Sequence, residues 1–268
     1  MVRKRDDREL RADCMASAIV VYHVGGGSDE FGPIERVKDA GFALHPVTFE
    51  ALDGLCIDDK IGEADFYLNK HPLSSGLLRA NPRYTREVHH EAPNITWGEN
   101  CELDRIVRVK TTTIDELAKN LPQADVLSMD TQGAELRILR GASETLRSTL
   151  CVVNEVEFAP IYEGQPLFDE QMAFLRPYGF RLMELFSIQA WHPGPKFGLG
   201  FLTVAEAVWL RFDYENLTRE QVETLAKISA GFGRMSFALV LLEHINGEVE
   251  NEMLRSLWKF KDAPELRE

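Results

Sequence analysis

The chain reads as an α/β protein with a doubly wound, mostly parallel sheet, an antiparallel edge hairpin and a C-terminal helical extension. Three observations predict this. Strand-like and helix-like segments alternate from Ala18 to Leu175, as in an open α/β sheet. The first strand, AIVVYHV (Ala18 to Val24), is nearly continuously apolar and runs into Gly25, Gly26 and Gly27, as expected of a parallel strand covered on both faces. From Thr218 to Leu257 the spacing turns helical throughout, with Val222, Leu225, Ile228 and Phe232, then Leu239, Leu242 and Ile245, about one turn apart.

The elements follow in order. A helix around Pro33 to Ala40 leads to a second strand, Phe42 to Phe49, that ends at Glu50. Short strands at Leu55 to Ile57 and Ala64 to Leu68 flank the turn-like DDKIGE, and His71 to Asn100, rich in Pro, Ser, Asn and His, reads as loop and cap. Alternation marks Glu102 to Thr112 as a strand, and Thr113 with Asp115 and Glu116 starts a short helix. Buried strands are expected at ADVLSMD, ending at Asp130, and at Thr149 to Phe158, with helical pieces between them broken by Gly141. A helix from Phe168 to Leu175 closes at PYG, and Phe180 to Trp191 and Gly200 to Phe212 form a hairpin through HPGPKFGLG. The expected organisation is an arm over 1–16, a main domain over 17–213 and a helical extension over 214–268.

Composition bounds the function. The formal charge of -13 opposes a phosphate backbone and argues against nucleic acid. No apolar run is long enough to span a bilayer, and the opening MVRKRDDRELRADC lacks the apolar stretch of a signal peptide. The four cysteines, Cys14, Cys56, Cys101 and Cys151, contain no CxxC pair, so neither a zinc knuckle nor a disulfide framework is indicated and a reducing cytoplasm fits.

A strand running into VGGG, followed by an acidic residue at the end of the next strand, is an arrangement that holds an adenosine-containing cofactor. Gly25 and Gly27 let backbone approach the ligand, and Glu50 can accept both ribose hydroxyls. A tight turn is the plainer explanation of the glycines alone. A nicotinamide site would want GxGxxG opening a helix toward a pyrophosphate. Here the third position after Gly27 is Glu30, which opposes a pyrophosphate but not S-adenosylmethionine (SAM), whose sulfonium is positive.

The central block carries an ordered set of motifs: Ile114 to Leu117 (IDEL), Asp130 to Glu135 (DTQGAE), Leu139 to Gly141 (LRG), Glu155 to Glu157 (EVE) and Tyr162 to Gly164 (YEG). Upstream stand CIDDKIGEADFYL, with Asp58 and Asp59, and LNKHPLSSGL, with Ser74 and Ser75. In this order they resemble the FkbM family of SAM-dependent methyltransferases, over roughly Ala18 to Phe212. The resemblance implies a class I (Rossmann-like) SAM-dependent methyltransferase fold and methylation of a hydroxyl on a small molecule such as a sugar, glycolipid or secondary metabolite. It implies a cofactor site drawing on His23, Gly25, Gly27, Glu50, Asp58, Asp59, Ser74, Ser75 and Asp130. Two positions depart from the pattern: His23 stands where such enzymes commonly have Asp, and Ser128 where the family frequently has Lys.

Methyl transfer to a hydroxyl needs alignment and removal of a proton. Asp130 and Glu155 both end strands at the carboxyl edge, where open α/β folds place ligands. Asp130 is expected nearest the chemistry, with Glu155 or Glu157, which point the same way along their strand, as helper. The plainer alternatives are that Asp130 caps the following helix and that Glu135 pairs with Arg137 or Arg140 on a solvated face. His71, His89, His90 and His192 are further candidate bases, and a divalent metal held by Asp130, Glu155 and a His is conceivable, although no ligand spacing establishes it. Phe232, Met235, Phe237, Leu241 and Trp258 read as core or docking surface, with a homo-oligomer interface as the sharper alternative. A member that binds SAM or another adenosine ligand without transfer, and a scaffold working through its C-terminal helices, are the rival readings; a nicotinamide-dependent oxidoreductase is more distant.

Overall fold

The computed structural model describes residues 18–25, 32–49, 55–89, 94–247 and 251–260. The expected arm over 1–16, Gly27, Glu50, His90 and the side chain of Trp258 lie outside the described residues.

Ten strands and eight α-helices are described: β1 (Ile19–Gly25), α1 (Glu35–Asp39), β2 (Leu44–Phe49), β3 (Leu55–Ile57), β4 (Gly62–Asn69), β5 (Glu87–Val88), α2 (Trp97–Asn100), β6 (Leu103–Thr112), α3 (Ile114–Ala118), β7 (Val126–Asp130), α4 (Glu135–Arg140), β8 (Cys151–Glu157), α5 (Phe168–Leu175), β9 (Phe180–Pro193), β10 (Phe201–Arg211), α6 (Arg219–Gly231), α7 (Met235–His244) and α8 (Glu252–Phe260). A seven-stranded sheet has the order β2-β1-β7-β8-β10-β9-β5. Its β2, β1, β7 and β8 are parallel neighbours. The hairpin enters with β10 antiparallel between β8 and β9, and two-residue β5 covers the outer side of β9.

The strand over Glu102 to Thr112 forms, but outside this sheet. As β6 it joins β3 and β4 in a separate three-stranded sheet. Its sequence gives the reason. LDRIVRVK alternates polar and apolar, which suits a strand with one face in water, whereas β1, β7 and β8 are buried on both faces. Asp130 therefore ends the strand that stands third in the spatial order of the main sheet. The stretch His71 to Asn100, expected as loop and cap, also holds β5 and α2. A capping box starts α2: Thr96 Oγ1 accepts the Glu99 N–H at 3.2 Å while Glu99 accepts the Thr96 N–H at 2.8 Å.

Two hydrophobic layers cover the main sheet. Tyr22, Leu127, Val152, Ala207 and Trp209 pack on one face against Ile114, Leu136, Leu139 and Leu175 of α3, α4 and α5. On the other, Ile19, Val21, Val126, Val153 and Val208 meet Val37 of α1 together with Val222, Leu225, Ile228, Leu241 and Leu254 of α6, α7 and α8. The helical segment expected as an extension is thus the second cover of the sheet. The spacing showed an apolar stripe, and the stripe is spent on the sheet. Phe232 and Leu241 are buried in this layer, while Met235 is exposed.

Candidate functional site

The site is built where β1 and β7 end side by side. Gly25 pairs with Asp130, at φ +75°, and a Cβ there would lie 2.2 Å from the Asp130 carbonyl oxygen. Only glycine allows the two strand ends this approach.

After Asp130 the DTQGAE motif turns sharply through Gln132 at φ +58° and Gly133 at φ +88°. A Cβ on Gly133 would meet Gln165 at 2.7 Å and Tyr162 at 2.8 Å. Thr131 donates both its N–H (2.8 Å) and its hydroxyl (2.9 Å) to Glu135, which is fully buried. Gln132 donates to Asp130 at 3.0 Å and accepts from the Tyr162 hydroxyl at 2.5 Å. The tyrosine of the Y-x-G motif thus holds the glutamine that holds the aspartate. Gln132, Tyr162 and Gln165 were not nominated from sequence, although the first two stood inside the motifs; the signal was their membership in the ordered set.

Asp130 opens onto a cavity of about 620 Å³. Gly25, Phe49, Ser75, Thr131 and Gln132 line it from the main sheet and adjoining loops, and Phe66 and Arg105 line it from the three-stranded sheet. The opening exposes Asp130 to the cavity while protein surrounds it on most sides, and this burial raises its carboxyl above the ordinary value, against the Gln132 hydrogen bond and His23, which lower it.

More carboxylates lie nearby. Burial pushes Glu135 up to about 7, opposed by hydrogen bonds from its own and the Thr131 backbone and the Thr131 hydroxyl, with Asp130 adding to the rise. Glu155 and Glu157 are raised well above the usual carboxylate range, first by burial, then by the neighbouring carboxylates. Neither Glu157 oxygen makes a hydrogen bond; the Gln165 amide nitrogen faces it without closing one.

The other nominated residues are placed as follows. His23 is buried on β1 and shares a 3.0 Å hydrogen bond through Nδ1 with Ser128 Oγ, its in-register neighbour on β7. Ser75 lines the cavity. Ser74 instead is buried, donating to the backbone oxygens of His71 (2.8 Å) and Asn100 (2.7 Å). Asp58 is also buried away from the cavity, in a two-pronged ion pair with Arg137 at 2.8 and 2.5 Å; Asp59 follows it on the surface and donates its N–H to it. The solvated pairing of Glu135 with Arg137 or Arg140 does not occur, because Glu135 turns inward to Thr131 and Arg137 turns to Asp58. His89 lies against Trp191 and Trp97, ring centroids 4.3 and 5.5 Å apart, and burial followed by the charge of His71 lowers its pKa. His192 is buried on β9. Among the described residues no three His, Cys, Asp or Glu side chains are grouped to hold a metal, so the conceivable centre at Asp130, Glu155 and a His is not assembled there. No helix among the described residues is long and apolar enough to cross a membrane.

The chain is 24% identical over 139 residues to "2-O-methyltransferase NoeI" of Sinorhizobium fredii (strain NBRC 101917 / NGR234), which covers 51% of this chain and 50% of that protein. The chain thus spans about half the length of the curated relative it matches. No solved structure matches it. The family model described as "Methyltransferase FkbM domain" matches residues 26–182, which include the DTQGAE turn and the carboxylates of β8. The chain belongs to the FkbM methyltransferase family.

Proposed function

We propose that the protein is a SAM-dependent O-methyltransferase of Rossmann-like fold that methylates a hydroxyl of a small molecule such as a sugar, glycolipid or secondary metabolite. The observation that carries this reading is the cavity at the carboxyl edge, where Gly25 gives backbone access and Asp130 presents a carboxylate from the adjacent strand end. The 2-O-methyltransferase named above supports oxygen as the acceptor atom. The free thiols of Cys56, Cys101 and Cys151 suit work in a reducing cytoplasm.

The residues fit the cofactor. A Cβ at Gly25 would fill the cradle, the cavity's apolar wall of Phe49, Ile57 and Phe66 suits an adenine, and Arg105 suits a carboxylate. SAM supplies a methyl group already activated on its sulfonium. The protein must then orient a hydroxyl and take its proton. Asp130 is the base: its raised pKa makes it a better proton acceptor than an ordinary aspartate, and Gln132, anchored by Tyr162, fixes its orientation. Glu155 and Glu157 lie beyond it as helpers.

Calorimetry with SAM and S-adenosylhomocysteine, paired with methyl transfer to a panel of hydroxylated acceptors, tests the proposal. Binding with turnover on at least one acceptor is expected. Tight binding with no turnover on any would replace it with a SAM-binding member that does not transfer, and no binding of either nucleoside would sink it.

A further inference from the structure

Asp130, Glu155 and Glu206 stand in a row across three neighbouring strands. Glu155 of β8 pairs directly with Glu206 of β10. Asp130 of β7 is one residue beyond the Met129–Asn154 pair, which sets it beside Glu155 at the ~4.8 Å spacing of sheet strands. All three share the sheet face of Val126, Val153 and Val208. Glu157, two residues beyond Glu155, points to the same face one layer nearer the carboxyl edge.

Carboxylates directly opposite one another on adjacent strands destabilise a sheet, and buried charge without a partner costs more. Gln132 and His23 act on Asp130 to lower its pKa, whereas the charges that act on Glu155 and Glu157 among the described residues are all acidic. The charges that act on Glu155 are Asp130, Glu135 and Glu206, and those that act on Glu157 are Glu135, Glu155 and Asp130. Glu206 accepts the Ser187 hydroxyl at 2.7 Å. Glu157, fully buried, has two oxygens without a hydrogen-bond donor, and Glu135 has one. These groups are not arranged to hold a metal ion. Val204, in register with Glu157, belongs to the apolar cluster of Trp97, Tyr162 and Trp191. Carboxylates that act on Tyr162, beside the aromatic cluster it belongs to, fit a carbon-framed cation that brings several N–H donors.

We infer that the acceptor is a hydroxylated amine, its ammonium seated over Glu155 and Glu157 while its hydroxyl faces Asp130. This rests on the methyltransferase reading above and adds the acceptor's class. In the reaction the hydroxyl oxygen bonds the methyl carbon, the carbon–sulfur bond breaks with its electron pair leaving on sulfur, and the hydroxyl proton passes to Asp130. The amine keeps its charge throughout.

The experiment is titration calorimetry on the full chain, with and without S-adenosylhomocysteine, in two buffers of different ionisation enthalpy. The probes are glucosamine and ethanolamine against their N-acetyl forms. An amine is expected to bind at least tenfold tighter than its N-acetyl form and to release protons, because carboxyls that hold protons when empty give them up to a docked cation. Glu157→Gln, or Glu155→Gln if the first does not fold, should erase the tenfold preference and leave S-adenosylhomocysteine binding in place. Equal affinity for amine and acetamide, or no binding by any amine, overturns the inference while leaving the methyltransferase reading intact if S-adenosylhomocysteine binds. A Glu157→Gln loss for S-adenosylhomocysteine but not for 5′-methylthioadenosine, which lacks the amino acid, also overturns it by assigning these carboxylates to the cofactor's own ammonium. Failure of wild type to bind S-adenosylhomocysteine counts against the methyltransferase reading alone, since amine binding is also measured without it.

Discussion

At the residue scale the site depends on a short relay of contacts, Tyr162 to Gln132 to Asp130. Removing the carboxylate's basicity while keeping its shape isolates its role: Asp130→Asn should lower kcat by about 10²–10⁴-fold, the usual worth of a general base, with S-adenosylhomocysteine affinity changed little by calorimetry. The pH profile of kcat/KM should rise with pH along a limb above the ordinary aspartate range, since the base works ionised and burial raises its pKa. That limb should vanish in Asp130→Asn. Tyr162→Phe should lower kcat more than it raises KM, because it frees Gln132 without touching the cavity wall. Asp130 was legible in the sequence because it ends an apolar strand inside a recognisable motif. The partners that hold Asp58 and Ser74 could not be read from position alone. Arg137 and the carbonyl of Asn100 are 79 and 26 residues away, and no local pattern announces such a contact.

At the scale of elements, the motifs serve packing as well as chemistry. Asp115 of the IDEL segment accepts the backbone N–H groups of Glu144 and Thr145 at 3.0 and 2.8 Å and the Thr145 hydroxyl at 2.7 Å, so α3 caps the turn after α4. Gly141 lets α4 end against β3's loop: a Cβ there would meet the Asp58 carbonyl at 2.4 Å. The Arg137–Asp58 pair locks the same junction. Arg137→Ala leaves a buried carboxylate uncompensated and should cost about 3–5 kcal/mol in denaturant unfolding, more than Arg137→Ala combined with Asp58→Asn. Element order was readable from periodicity, but sheet membership was not. The departure of β6 into its own sheet depends on its antiparallel pairing with β4, a tertiary choice that alternation permits and does not specify.

For the whole molecule, the C-terminal helices and the buried acids set stability. Removing residues 214–268 uncovers Ile19, Val21, Val37, Val126 and Val208, each buried side chain being worth about 1.5–3 kcal/mol. The truncated chain should lose cooperative thermal unfolding. The pH dependence is the reverse of the common acid-labile pattern. Burial raises Asp125 to about 6, and Glu135 to about 7, so the folded chain holds protons that the unfolded chain releases near pH 4. Their stabilisation is full below about 4 and is lost as pH rises through 6 to 7. Calorimetric Tm should therefore fall between pH 5 and pH 8, and Glu135→Gln should flatten that fall.

The hydrogen bond between His23 and Ser128 ties the two positions together. The two positions at which the sequence departs from the pattern it resembles are direct neighbours on adjacent strands. In this chain the two side chains act as one hydrogen-bonded unit. Reverting either alone strands it: His23→Asp sets another buried carboxylate beside Asp130, and Ser128→Lys buries an ammonium against an imidazole. Only the double reversion should recover the stability that each single one forfeits, and a double-mutant cycle between these positions should show strong coupling.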